Sequence, residues 1–169
     1  MTTFSLRRLR LRSGEEYRDE LDVALEPLEV GGQRYLPVPE RVRASLTVTQ
    51  ATTGRVFELV FGGRLHGPCQ RCLTDAVVER ELAVQEYQAE DAHADEELRS
   101  PYVRDDLLDL SAWARDALAL ALPDQILCRP DCAGLCPVCG RDLNREPHEH
   151  AEERVDPRWS PLEELREKL

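Results

Sequence analysis

Residues 42–49 read VRASLTVT and alternate strictly between apolar and polar side chains. Successive side chains of a β-strand point to opposite faces, so this period of two predicts a strand with one buried face. The predicted buried face consists of Val42, Ala44, Leu46 and Val48. No other segment shows a cleaner strand pattern, and the prediction of the fold extends outward from it.

A turn and a returning strand follow this segment. Residues 51–54 read ATTG, which is typical of a turn. Beyond it, Phe57, Leu59 and Phe61 lie on one side of residues 55–65. Two alternating strands joined by a short turn predict an antiparallel hairpin.

The neighbouring segments extend the hairpin into a meander. Residues 21–25 alternate as well, and the pair Gly31-Gly32 marks another turn. Residues 78–87 fit either a strand or a helix, and we interpret them as a strand because Val78, Leu82 and Val84 share the parity of one face. Residues 1–88 are therefore predicted to be a mainly β portion built on an antiparallel sheet.

The composition changes after this portion. Residues 89–109 carry eight acidic side chains and two arginines, which predicts an acidic linker or loop. Residues 110–169 are predicted to be a helical portion that contains a cysteine cluster. Together these portions predict a single α+β domain with an antiparallel sheet in its N-terminal half, C-terminal helices and a zinc-knuckle loop.

Two helices are expected in the C-terminal portion. The first has Ser111 as its predicted N-cap, apolar residues at helical spacing, and Pro123 as its stop. The second begins at SPLE, residues 160–163, which combines a capping box with proline at the first helical position.

Composition narrows the class of protein. The 169 residues are 41% hydrophobic and 33% charged, enough to bury a core. The most apolar stretch, residues 112–127, is interrupted by Arg115, Asp116 and Asp124, so no membrane span is predicted. Residues 1–13 lack the apolar core of a secretory signal, and we expect a cytoplasmic protein.

Charge is unevenly distributed along the chain. The net charge is −11, but the N-terminal arm, residues 1–13, contributes +4 and the remainder −15. The arm would be the simplest contact for RNA phosphates, whereas the acidic remainder suits a basic protein. Because the acidic remainder repels RNA, the distribution slightly favours a protein partner. The four positive charges of the arm belong to Arg7, Arg8, Arg10 and Arg12.

Six cysteines carry the most specific signal. In a reducing compartment, clustered cysteines bind metal more often than they form disulfides. Residues 136–140 read CPVCG, the form of a zinc knuckle, in which the glycine lets backbone amides approach the sulfurs. Four thiolates within twelve residues predict one structural zinc ion. Its predicted ligands are Cys128, Cys132, Cys136 and Cys139.

Two histidines offer a competing ligand set. Residues 148–150 read HEH, so a Cys2His2 site could combine Cys136 and Cys139 with His148 and His150. Spacing alone leaves the choice between these histidines and the Cys128/Cys132 pair open.

The remaining cysteines, Cys69 and Cys72, have several interpretations. They fit a second metal half-site, a redox pair, or two buried thiols in a hairpin turn. The redox interpretation is the least favoured because the pair lacks the intervening Gly-Pro of a thioredoxin motif. His66 and His93 are interpreted as surface or structural residues.

Motifs for catalysis are missing from the sequence. It contains no nucleophile elbow, phosphate loop, dinucleotide fingerprint or metalloprotease helix. A metal held by four cysteines also leaves no open position for a reacting water. These observations predict a protein that is not an enzyme.

The order of motifs resembles the YceD family of large ribosomal RNA subunit accumulation proteins over nearly the whole chain. The resemblance rests on CQRCL at 69–73, LDL at 108–110, LALP at 120–123, CAGLCPVCGRDLN at 132–144 and DPRW at 156–159. This chain departs from the family at HEH, where relatives usually have Cys-x-Cys. Some relatives lack the C-terminal cluster, which implies a structural role for the metal.

The resemblance implies a non-enzymatic factor in large-subunit biogenesis that supports 23S ribosomal RNA accumulation. Its expected partner is the large ribosomal subunit precursor, contacted through ribosomal RNA or a basic ribosomal protein. An acidic binding module or chaperone for such a protein is the alternative. A thiol or RNA-processing enzyme would require a catalytic group that the sequence does not offer.

Overall fold

The computed structural model describes residues 1–91 and 98–150. The chain forms two compact units, Met1–Cys132 and Ala133–Leu169. The described helices and strands all lie in the first unit. They are β1 (Thr3–Ser5), a short 3-10 helix (Leu6–Arg8), β2 (Glu16–Ala24), β3 (Leu28–Val30), β4 (Gln33–Pro37), β5 (Arg41–Gln50), β6 (Gly54–Pro68), β7 (Asp75–Ala89), β8 (Val103–Arg104), β9 (Leu107–Asp109) and α1 (Leu110–Leu120).

The main sheet is built around β6. One edge of this strand pairs with β5 over residues 55–61 and with β4 over residues 65–66. The other edge pairs with β7 over all of residues 54–68. With β2 beside β5 and β3 beside β4, five of the six strands run in the order β2-β5-β6-β4-β3, and the sixth, β7, pairs with β6 off this path. All of these pairs are antiparallel.

The predicted β5–β6 hairpin is confirmed, and β5, β6 and β7 form a meander. The earlier strands do not continue it in chain order, because β2 pairs with β5 and β4 pairs with β6. In the β5–β6 pair, Leu46 is opposite Leu59 and Val48 is opposite Phe57, and all four side chains are fully buried. Residues 78–87 lie within strand β7, as interpreted. The Gly31-Gly32 turn joins β3 to β4, and both glycines have positive φ angles, +60° and +76°. Such angles favour glycine because a side chain would crowd the backbone.

A second, three-stranded sheet has the order β1-β9-β8. Its strands β8 and β9 come from the stretch that the sequence presents as an acidic linker, of which residues 92–97 lie outside the described residues. Strand β9 pairs with β1, so the N-terminal arm is attached to the body by backbone hydrogen bonds. Leu6 reinforces this attachment because its side chain is only 2% exposed.

Helix α1 starts one residue after Asp109, which is its N-cap. The carboxylate of Asp109 accepts a hydrogen bond from the Ala112 backbone N–H at 3.0 Å. The prediction of Ser111 as the N-cap is therefore wrong. The Ser111 hydroxyl instead accepts a hydrogen bond from the Thr2 backbone N–H at 2.7 Å. No helix in the described ranges is long and apolar enough to cross a membrane.

The predicted α+β class needs a correction. The protein is mainly antiparallel β, and residues 1–91 and 98–150 contain one α-helix rather than several C-terminal helices. The second predicted helix, at residues 160–169, lies outside the described residues. From Pro123 to His150 the chain forms turns and bends with one isolated bridge, between Leu135 and Asp142. Prolines and cysteine loops interrupt the backbone pattern that a helix would need there.

Gly67 in β6 provides a test of packing beside the β6–β7 turn. A Cβ atom at Gly67 would overlap the Tyr35 ring. Tyr35 is fully buried, and its hydroxyl donates a hydrogen bond to the Pro68 carbonyl at 2.9 Å. We expect Gly67→Ala to lower the free energy of unfolding by roughly 1–3 kcal/mol, because the buried ring must shift.

The matched control is Gly62→Ala on the same strand. The three atoms nearest to its added Cβ all belong to the carboxylate end of the flexible Glu81 side chain. Chemical denaturation should therefore show a clearly smaller loss for Gly62→Ala. Equal losses in the two variants would contradict this account of the packing.

Candidate metal centres

Four cysteines converge in the first compact unit. We call Cys69, Cys72, Cys128 and Cys132 the four-cysteine cluster; their sulfur atoms all lie within 4.8 Å of one another. The Cys72 and Cys128 sulfurs are 3.5 Å apart, and the Cys69 and Cys132 sulfurs are 3.8 Å apart. Three members are buried, and Cys128 is exposed.

The β6–β7 turn supplies Cys69 and Cys72. Within this turn the Cys69 N–H donates to the Thr74 carbonyl at 2.7 Å, and the Leu73 N–H donates to the Cys69 carbonyl at 3.0 Å. Leu73 has a φ of +60°, which an L-residue with a side chain rarely adopts. This tight turn directs both sulfurs to the same point.

The irregular segment after α1 supplies Cys128 and Cys132. Ile126 holds this segment against the turn, because its side chain is 1% exposed and its backbone is bonded twice to Gln70. The Gln70 N–H donates to the Ile126 carbonyl at 2.9 Å, and the Ile126 N–H donates to the Gln70 side-chain oxygen at 3.1 Å. The Arg71 guanidinium adds a hydrogen bond of 3.1 Å to the Cys132 carbonyl.

Electrostatics differ among the four thiols. Burial opposes ionisation of Cys69, but the backbone amides of Cys72 and Arg71 outweigh it and lower the Cys69 pKa to about 6. In contrast, desolvation and the hydrogen bond with Cys72 raise the pKa of Cys128 to about 11. A negative charge is thus favoured at the turn, and further ionisation of the cluster is opposed.

The second compact unit contains another set of four donors. We call Cys136, Cys139, His148 and His150 the Cys2His2 cluster; their candidate ligand atoms all lie within 4.8 Å of one another. The Cys139 sulfur is 3.1 Å from His148 Nε2. His148 Nδ1–H donates to the Glu146 carbonyl at 2.7 Å, which leaves Nε2 toward the cysteines.

The CPVCG loop has the same backbone pattern as the β6–β7 turn. The Cys136 N–H donates to the Arg141 carbonyl at 2.8 Å, and the Gly140 N–H donates to the Cys136 carbonyl at 2.8 Å. Gly140 has a φ of +71°, the conformation that Leu73 adopts in the other loop. The Cys139 amide contributes most to lowering the pKa of Cys136, to about 6. Both loops are therefore knuckles that present two sulfurs to one point.

The structure does not bring the predicted ligands Cys128, Cys132, Cys136 and Cys139 together as one set. It groups the first two with Cys69 and Cys72, which the sequence left open as a metal half-site. It groups the other two with the competing histidines. Two sets of four donors thus stand where the sequence predicted one zinc site. Which residues bind metal stays a prediction.

Among the described residues, His66 is not part of either cluster. His66 lies in β6 opposite Leu36 and Val77, and within the described residues its buried Nε2 has no hydrogen-bond partner. His93 lies outside the described residues.

The sequence did contain a signal for the first knuckle. CQRCL and CPVCG place their cysteines at the same spacing, and the fifth residue of each adopts a left-handed conformation. Leucine at position 73 concealed the similarity, because a knuckle is normally recognised by the glycine that follows it.

Comparison with known proteins identifies the family. The family model described as "Large ribosomal RNA subunit accumulation protein YceD" matches residues 57–166. The chain belongs to the YceD family. The matched region contains both knuckles, and the resemblance predicted from the sequence is confirmed.

Several curated relatives of this YceD-family chain have no assigned role. An uncharacterized protein of Mycobacterium tuberculosis is 41% identical over 103 residues, or 59% of this chain and 49% of the relative. YlbN, an uncharacterized protein of Bacillus subtilis, is 28% identical over 137 residues, or 79% of this chain and 76% of the relative. The chain spans about half the length of the mycobacterial relatives it matches. No solved structure shows a significant match.

The left-handed conformation of Leu73 makes a testable prediction. An L-residue with a side chain pays about 1–2 kcal/mol for this conformation, whereas glycine adopts it freely. We expect Leu73→Gly to leave the free energy of unfolding unchanged or to raise it by up to about 1 kcal/mol. The Leu73 side chain is 58% exposed, so little packing is lost.

Leu36→Gly provides the matched control for this substitution. Leu36 lies in strand β4 and is 48% exposed, but its backbone is extended. We expect the free energy of unfolding of that variant to fall by about 1 kcal/mol. If denaturant titrations gave similar decreases in the free energy of unfolding for both variants, Leu73 would not have a left-handed backbone conformation.

Proposed function

We propose that this protein is a non-enzymatic factor in large-subunit biogenesis that supports accumulation of 23S ribosomal RNA. Membership of the YceD family, over residues 57–166, is the observation that carries the proposal. The two clusters agree with a role without catalysis, because each offers a full set of four protein donors. A catalytic zinc ion needs an open position for water or substrate.

We further propose that the Cys2His2 cluster binds a structural zinc ion. Cys136 and Cys139 keep the role that the sequence predicted, and His148 and His150 supply the remaining donors in place of Cys128 and Cys132. The hydrogen bond from His148 Nδ1 to the Glu146 carbonyl supports this assignment, since zinc-bound histidines usually donate their other ring N–H. The ion would link the two ends of a segment that has little regular structure.

The partner we propose is ribosomal RNA of the large-subunit precursor, contacted by the N-terminal arm. The arm is attached through β1 and the buried Leu6, so its arginines are presented from an ordered backbone. Arg7 pairs with Asp106 at 3.2 Å. Within residues 1–91 and 98–150, no ion pair involves Arg8, Arg10 or Arg12, and all three are exposed. Unpaired guanidinium groups are suited to phosphates.

The acidic remainder of the chain supports a second candidate partner. Its net charge of −15 would attract a basic ribosomal protein and repel RNA. This interpretation makes the protein an acidic binding module or chaperone, and charge substitutions separate it from contact with RNA.

We expect the variant Arg7→Ala/Arg8→Ala/Arg10→Ala/Arg12→Ala to lose cosedimentation with large-subunit precursors. The salt dependence of binding should decrease by about one log–log unit for each phosphate that the variant no longer neutralises. The control removes the same charge elsewhere by alanine substitution of the exposed Arg18, Arg34, Arg43 and Arg115. It should bind almost as the wild type does.

Charge reversal of acidic residues tests the second candidate. If the partner is a basic protein, lysine substitutions at Glu90, Asp91, Glu96 and Glu97 should abolish binding, and the arm variant should bind normally; Glu96 and Glu97 lie outside the described residues. Binding that neither set of substitutions affects would exclude both electrostatic contacts. Unchanged 23S relative to 16S ribosomal RNA in cells lacking the protein would contradict the proposed function itself.

A further inference from the structure

We propose that Cys69, Cys72, Cys128 and Cys132 bind a second zinc ion, which fastens the segment after helix α1 to the β6–β7 turn. The proposal does not depend on the ribosomal role or on the zinc ion of the Cys2His2 cluster. It rests on the distances between the sulfurs, on the knuckle that holds two of them, and on the contacts that position the other two.

The distances fit a tetrahedral thiolate site. Zinc–sulfur bonds of about 2.3 Å in a tetrahedron place the sulfurs about 3.8 Å from one another. The Cys69–Cys132 and Cys72–Cys128 sulfur distances are 3.8 Å and 3.5 Å. All four sulfurs lie within 4.8 Å of one another. Two separate pairs of buried thiols with no shared ligand would have no reason to converge in this way. Four soft sulfur donors select zinc rather than calcium or magnesium.

The surroundings of the sulfurs resemble those of a metal site. The Arg71 backbone N–H lies 3.5 Å from the Cys69 sulfur, and the Thr74 hydroxyl lies 3.0 Å from the Cys72 sulfur. Such donors stabilise thiolates and orient them. The same turn contains Leu73, which has a left-handed backbone conformation. Leucine disfavours that conformation, yet the turn still has the geometry of a knuckle.

The proposed ion has a clear mechanical role. Residues 121–132 contain no helix or strand, and Cys128 lies 56 residues from Cys72 along the chain. In the absence of regular structure, hydrogen bonds to Gln70 and Arg71 position this segment. A metal bound by both parts would close this long loop and stabilise the contact.

Counting bound metal in reduced protein tests the proposal. Native mass spectrometry and elemental analysis should find two zinc ions in the wild type. Cys69→Ser/Cys72→Ser should retain one ion, and the matched variant Cys136→Ser/Cys139→Ser should also retain one. The zinc ion that remains in each variant then belongs to the other cluster. The proposal would be overturned if Cys69→Ser/Cys72→Ser still bound two zinc ions. It would also be overturned if the wild type bound a single ion and this variant retained that ion.

Hydrogen exchange gives a readout that does not rely on a variant's folding. Partial removal of zinc from the wild type with a chelator should increase exchange at the Ile126 and Cys132 amides, and zinc should restore their protection. Cobalt added to reduced, metal-free Cys136→Ser/Cys139→Ser should give the strong sulfur-to-metal absorption of a four-thiolate site. The proposal would also be overturned if cobalt gave no such absorption, or if zinc did not change the hydrogen exchange of the Ile126 amide.

Discussion

Four sulfur atoms crowded within 4.8 Å create the constraint on which the first unit depends. Ionised sulfurs at this separation repel one another, and burial increases the repulsion because the surroundings screen charge poorly. Despite burial, backbone amides lower the pKa of Cys69 to about 6, whereas desolvation and the hydrogen bond with Cys72 raise the pKa of Cys128 to about 11. One thiolate is therefore favoured, and ionisation of Cys128 is opposed. A divalent cation bound by the thiolates, as proposed above, would relieve this repulsion. Such an ion would couple the sheet to a segment that has no regular structure of its own.

The long strand β6 makes this arrangement geometrically possible. It pairs with three strands and delivers the chain to the knuckle at Cys69. Gly67 lets the buried Tyr35 ring lie against the strand, and Tyr35 in turn bonds to the Pro68 carbonyl, next to the first cysteine. Within residues 133–150, the second unit forms its knuckle without a sheet. There Gly140 permits the left-handed turn that Leu73 adopts in the first unit at a cost.

The sequence predicted those features that depend on nearby residues. Strands β5, β6 and β7 follow from alternation, and the CPVCG knuckle follows from spacing. Features that depend on distant residues were missed. Strands β8 and β9 are two and three residues long, and β9 pairs with the N-terminal β1. Cys128 and Cys132 lie near cysteines about sixty residues upstream, so proximity along the chain favoured a grouping that differs from the one in the structure. At the helix start, Asp109 caps in place of Ser111, only two residues away.

X-ray absorption at the zinc edge of the fully loaded protein tests the central claim most directly, because it reports the donor atoms themselves. A four-cysteine site together with a Cys2His2 site should give an average of three sulfur and one nitrogen ligands per ion. The Cys136→Ser/Cys139→Ser variant should give sulfur alone. A single site made of Cys128, Cys132, Cys136 and Cys139 would give only sulfur in the wild type, and that result would contradict the account.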